Sequence, residues 1–217
     1  MESMMKNPYP LTFKEEVGNS ISHGIMALCV VLSLPYYAVH SYLRGGMGYS
    51  FGVSVFMLGL FMMFMTSCLY HCSIYGTTQK YVFRKLDHIM ILVAIASTYT
   101  PICLVYMNHV FGYILLILEW LMAFGGILLK AISKKSYPKC SMIIYMTMGW
   151  LAIFFVPQLF RNGSFAFMAW IVLGGILYSV GAIFYAQPQK RYFHFIWHLL
   201  IIGASICHMI GILYCMV

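Results

Sequence analysis

Residues 51–75 read FGVSVFMLGLFMMFMTSCLYHCSIY, and the fold turns on how a run this apolar is taken. No charged side chain interrupts it. A helix needs about 20 apolar residues to cross the hydrocarbon core of a bilayer. The segment therefore reads as a membrane span. It nevertheless ends in TSCLYHC (66–72), which places a histidine, a serine one turn earlier and two cysteines at its tail.

The rest of the chain agrees with that reading. Of 217 residues, 62% are hydrophobic and 8% are charged, against roughly 25% charged in a soluble domain. Lipid must be the main solvent. Besides 51–75, six further stretches are long and apolar enough to span: roughly 20–43, 87–107, 111–130, 141–160, 165–186 and 194–216. RGGMG, GTTQKYVFRK, KKSYPK, RNGS and QPQKR separate most of them, and NHVFG is the weakest break. The expected fold is an all-α membrane protein with seven transmembrane helices in a single domain, 1–217. Its lead-in, 1–19, lacks the basic-then-apolar order of a signal peptide. Seven spans with no internal repeat are a poor match to an inverted-repeat transporter.

The net charge of +8 would suggest nucleic acid in a soluble protein, but here topology accounts for it and no nucleic-acid partner is expected. Lys6, Lys14, Lys80, Arg84, Lys85, Lys130, Lys134, Lys135, Lys139, Lys190 and Arg191 fall on one side of the expected bundle, and Arg44 and Arg161 on the other. Positive residues stay inside. The N-terminus is therefore expected in the cytoplasm and the C-terminus outside, the reverse of a G-protein-coupled receptor. The protein is expected to be multi-pass in the cell membrane. Seven cysteines, with no CxxC, argue against a disulfide framework.

In this topology His71 lies near the cytoplasmic end of span two. Span seven begins HFIWH, so His194 and His198 lie at the same depth. Residues four apart share a helical face. Three neutral imidazoles and a water make a catalytic zinc site with one open position. A structural site would instead want a fourth protein ligand, which Cys68 or Cys72 would supply. The blander alternative is that each histidine hydrogen-bonds a neighbour. Asp87, the sole aspartate, opens span three at matching depth and is a candidate base; a charge favoured by the helix dipole is the alternative. Ser67, one turn from His71, is a candidate donor to an oxyanion, or simply bonds its own backbone. His88 points about 100° away from Asp87. His23 is either a supporting partner or interfacial. His208 is about 15 Å along the helix from His198, too far for the same metal. Glu119, mid-way along span four, is a functional candidate by its depth alone. Pro35, Pro101 and Pro157 should kink or end spans, and Gly125–Gly126 and Gly174–Gly175 should let helices approach.

EEVGNSISHG (15–24), SCLYH (67–71), KLDH (85–88), STYTP (97–101) and HFIWH (194–198), in that order, resemble the bacterial hemolysin III family within the progestin and adipoQ receptor superfamily. The resemblance covers essentially the whole chain. It implies zinc held by His71, His194 and His198, with Asp87 and Ser67 at the family's aspartate and serine positions. Superfamily members are linked to hydrolysis of lipid amides such as ceramide. The implied chemistry is attack of zinc-activated water on a lipid carbonyl, with Asp87 as base and Ser67 or zinc holding the oxyanion. Membrane lipid and zinc are the implied partners. Span seven departs from the pattern at Phe195, where a polar or acidic residue is expected. A non-enzymatic regulator or lipid-state sensor with structural zinc is the competing reading. A pore ranks below both, since only Glu119 and His208 are polar at mid depth. A retinal protein is disfavoured because span seven has no lysine.

Overall fold

The computed structural model describes residues 10–133 and 138–216, with the side chains of Pro138, Phe155 and Asn162 left aside. Lys6, Lys134, Lys135 and the first nine residues of the expected lead-in lie outside the described residues. Within those residues every regular element is helical: α1 (Phe13–Cys72), α2 (Thr78–Val105), α3 (Val110–Ile132), α4 (Pro138–Trp150), a 3-10 segment (Leu151–Phe155), α5 (Val156–Asn162), α6 (Phe165–Tyr185) and α7 (Phe193–Tyr214). Five of them (α1, α2, α3, α6 and α7) are long and apolar enough to cross a membrane.

Spans one and two, expected at 20–43 and 51–75, are both carried by α1. Helical bonding runs through the expected break except at Gly46, whose φ of 73° and ψ of −165° are open to glycine alone. There the chain doubles back. Ser50 Oγ donates to the Ala38 carbonyl at 2.8 Å, and Ser20 Oγ lies 2.7 Å from Cys72 Sγ near the other end of the hairpin. The result is two antiparallel arms, 13–45 and 47–72.

Helix α1 starts earlier than apolarity predicts. Thr12 accepts from the Glu15 N–H while the Glu15 carboxylate accepts from the Thr12 N–H at 2.9 Å, a reciprocal cap that begins the helix at Phe13. Helix α2 likewise begins at Thr78, capped by Thr77, nine residues before the apolar window. In both cases backbone hydrogen bonding continues into polar sequence that a hydropathy reading leaves out.

The expected span 141–160 is interrupted. Tyr99 of α2 donates its hydroxyl to the carbonyls of Met148 (2.8 Å) and Gly149 (3.1 Å) and accepts from the Ala152 N–H (3.0 Å). One phenol thus takes over the bonds the helix ladder loses between α4 and the 3-10 segment. Pro157, which has no N–H to donate, follows directly at the start of α5.

Close contacts between small residues tie the elements together. A Cβ on Gly52 would sit 2.6 Å from Pro101 Cα, so the second arm of α1 rides against the proline of α2. Of the glycine pairs expected to pack, Gly126 meets Leu92 and Gly174 meets His208, while Gly125 and Gly175 face open space.

Candidate metal centre

The start of α1 fixes the start of α7. Besides capping its own helix, Glu15 accepts the Tyr192 N–H on its second oxygen at 2.6 Å. Tyr192 has a φ of 63°, the left-handed region, and directly precedes α7. The carboxylate thereby holds a strained turn and sets the register from which His194 and His198 emerge on one face. Phe195, the departure from the expected pattern, turns toward α1, where its ring lies against Gly18.

Three imidazoles converge from α1 and α7. One ring nitrogen each of His71, His194 and His198 lies within 4.8 Å of the others, an arrangement that could hold a metal ion. His194 Nε2 and His198 Nε2 are 3.1 Å apart. The His71 ring centroid is 4.8 Å from that of His198 and 5.3 Å from that of His194. His71 and His198 are buried and His194 is half-buried.

The outward nitrogens are held by other side chains. His71 Nδ1 lies 2.5 Å from Glu16 Oε2, and Glu16 Oε1 takes the Lys80 ammonium at 2.9 Å. Lys80 also donates to the carbonyls of Tyr70 and Ser73 at the end of α1. His198 Nδ1 lies 2.8 Å from His23 Nε2, which belongs to the first arm of α1. A carboxylate that accepts the Nδ1–H of a histidine fixes its tautomer and leaves Nε2 with a free lone pair. His71 Nε2 is buried and has no hydrogen-bond partner. An unmet buried acceptor is costly unless a ligand uses it. The donor set therefore fits a cation: three neutral imidazoles, with the outer nitrogens of His71 and His198 held by Glu16 and His23.

The remaining predicted residues sort clearly. Ser67 is buried one turn from His71, and its Oγ completes no hydrogen bond. Asp87 is buried on α2, its carboxyl close enough to interact with the Ser67 hydroxyl. His88 is committed elsewhere: Nδ1 donates to the Arg84 carbonyl at 2.7 Å, and Nε2 faces the Tyr185 hydroxyl at 3.1 Å. His208 bonds the Ile171 carbonyl of α6, away from the cluster. The thiols are not drawn into the centre. Cys72 Sγ contacts Ser20 Oγ, and Cys68 Sγ lies 3.6 Å from the same hydroxyl and packs near Gly24.

Hydropathy alone does not mark Glu16 or Lys80 as site residues, yet both are buried, Glu16 against His71 and Lys80 against Glu16. A signal existed. Glu16, Asn19 and His23 follow at spacings of three and four and so share a helical face. Hydropathy hides that face, because residues 13–19 are mostly polar and read as part of the lead-in before the first span.

One cleft borders the site. It has a volume of ≈ 210 Å³ and lies among α1, α2, α4, α5, α6 and α7, with Met63, Ile95, Met146, Met168 and Ile201 among its walls. Tyr185 and Trp197 line it as well. Their rings stand 6.3 and 4.9 Å from that of His194. Tyr185 and Trp197 thus stand between the apolar cleft and the histidine cluster.

Comparison with known proteins supplies a family. The family model described as "Haemolysin-III related" matches residues 11–209. The chain is 35% identical over 192 residues to the protein named Hemolysin-3 of Bacillus cereus, covering 88% of this chain and 87% of that one. It is 36% identical over 194 residues to the Hemolysin-3 homolog of Bacillus subtilis (strain 168), covering 89% and 91%.

Proposed function

The chain belongs to the Haemolysin-III related family, and on that footing we propose that it is a zinc-dependent hydrolase of a lipid amide or ester. It acts in the bacterial plasma membrane as a seven-span protein. The two arms of α1 count as two spans, and the interrupted stretch from Pro138 to Asn162 counts as one. The bias of Lys and Arg supports a cytoplasmic N-terminus, with the histidine cluster on the cytoplasmic side.

His71, His194 and His198 would hold the zinc, which supplies Lewis acidity for activating water and polarising a carbonyl. The surrounding residues do the positioning. Glu16 keeps the proton of His71 on Nδ1, so that Nε2 faces inward. His23 packs its Nε2 against Nδ1 of His198 and so holds the orientation of that ring. Asp87 would accept the proton released by the attacking water, and Ser67 would donate to the carbonyl oxygen as negative charge develops there. An acyl chain would lie along the cleft past Trp197, whose apolar walls would keep it from water.

The observation that carries this reading is the convergence of three imidazole nitrogens within 4.8 Å, with His71 Nε2 buried and unpartnered. Metal analysis by mass spectrometry on purified protein tests it, with wild type beside His71→Ala. The expected result is stoichiometric zinc in the wild type, lost in the variant, followed by release of fatty acid from lipid amides or esters by the wild type alone. Wild-type protein free of zinc, prepared without chelator, would remove the mechanism. A C-terminal reporter tests topology separately, and its activity in the cytoplasm would overturn the orientation.

A further inference from the structure

Glu119 lies outside the chemistry described above. It sits nine residues into α3, has none of its surface exposed, and neither carboxyl oxygen has a hydrogen-bond partner. The neighbouring donors are already committed. The Tyr99 hydroxyl, on the facing side of α2, gives its proton to the carbonyls of α4. The Thr100 hydroxyl donates to the Ala96 carbonyl at 3.1 Å and accepts from Trp120 Nε1 at 3.2 Å. The titratable groups that face Glu119 from α2 are Tyr99 and Cys103, and neither brings a positive charge. From α4, Tyr145 points its hydroxyl to the His88 carbonyl, nearer the end of α2 that begins with Thr78. The acidic partners in the ion pairs among the described residues are Glu16 and Asp87. One turn to either side of Glu119 on the same face of α3 are Leu115 and Ala123, both buried.

An ionised carboxylate in such a place would forfeit its hydration with nothing in return, and such groups neutralise instead. We propose that Glu119 is a proton-binding site in the membrane core, occupied at neutral pH, and that a lipid-soluble carbodiimide modifies it selectively. That reagent requires the protonated acid. The acid's proton moves to a carbodiimide nitrogen, and the carboxyl oxygen adds to the central carbon. The acyl group then migrates from oxygen to nitrogen, leaving a stable N-acylurea that contains the whole reagent. The site adjoins Tyr99, the residue that bridges the break between α4 and the 3-10 segment, so a change in its proton occupancy is placed to alter that break.

The test uses the full chain in lipid nanodiscs at neutral pH. Infrared spectra should show the carbonyl stretch of a protonated carboxylic acid in the wild type. That band should be lost in Glu119→Gln and kept in Asp87→Asn. Dicyclohexylcarbodiimide should add one reagent to the α3 peptide carrying Glu119, as mapped by mass spectrometry, whereas a water-soluble carbodiimide should not. Mapping on wild-type protein keeps the test decisive even where a variant folds poorly. The absence of an acid band in the wild type, an acid band unchanged in Glu119→Gln, or a Glu119 peptide left unmodified by dicyclohexylcarbodiimide overturns the proposal.

Discussion

Glu16 and His71 meet across the α1 hairpin at 2.5 Å, although 55 residues separate them in sequence. Lys80 of α2 closes on the other oxygen of the same carboxylate at 2.9 Å. Three segments are thus joined at one carboxylate. The carboxylate holds His71 in the tautomer that can bind a cation, and the ammonium neutralises the buried charge that this requires. A buried carboxylate with two such partners is far less costly than one with none.

Glu16→Gln should therefore weaken zinc binding more than it weakens the fold. Replacing such a supporting carboxylate typically costs about 10- to 100-fold in metal affinity. Competition against a chromogenic chelator would read this directly. An affinity within about twofold of wild type would show that Glu16 does not orient the ligand. Because bound metal stabilises the folded state by mass action, chelator should also lower the melting temperature of wild type more than that of His71→Ala.

His23 makes the corresponding contact with His198. His23→Ala should reduce zinc affinity by about tenfold, and His23→Gln, whose amide can still hydrogen-bond Nδ1, should recover part of the loss. Equal loss in both variants would mean that His23 contributes packing alone, for instance through its edge-to-face contact with Phe64 at a centroid distance of 5.0 Å.

The parts of this site that were legible in the sequence are those set by local helical spacing. HFIWH places His194 and His198 on one face of any helix, and Ser67 and His71 are related in the same way. What joins these pairs is tertiary. Glu16 reaches His71, and Lys80 reaches Glu16, only because α1 folds back at Gly46 and α2 starts at Thr78, and neither feature is written in hydropathy. The interrupted stretch after Pro138 was illegible for a related reason: its break is bridged by a tyrosine 49 residues away from Met148. Five helices are long and apolar enough to cross a membrane, a property that composition carries and the sequence therefore displays. Hydropathy does not mark where α1 and α2 begin, because caps such as Thr12 with Glu15 depend on a few polar side chains.

Glu15 supports both the first turn of α1 and the left-handed Tyr192. Glu15→Ala removes the cap and the clamp together. A lost cap alone costs about 1 kcal/mol, and release of the turn before α7 adds to it. The variant should melt several degrees below wild type and retain zinc less well, since His194 and His198 follow that turn. Glu15→Gln keeps part of the capping geometry and should fall between the two. A variant with wild-type melting and wild-type zinc retention would show that the clamp is dispensable.

Asp87 and Ser67 distinguish a catalytic centre from a structural one. Neither belongs to the histidine cluster, so Asp87→Asn and Ser67→Ala should retain zinc close to the wild-type level. In a hydrolase, Asp87→Asn removes the group that accepts the proton, and turnover of a lipid amide or ester should fall by about 10²-fold or more. Ser67→Ala removes a single donor to the developing oxyanion, and a loss of similar order is expected. The two variants should lower kcat rather than raise KM, because both groups act as charge develops. If instead both variants bind zinc and keep the full activity of the wild type, the roles assigned to these residues fail and the base and donor must be sought elsewhere. If wild type holds zinc and hydrolyses no lipid amide or ester, the metal's role is to pin α1 to α7, and the cleft beside Trp197 then serves lipid binding without turnover.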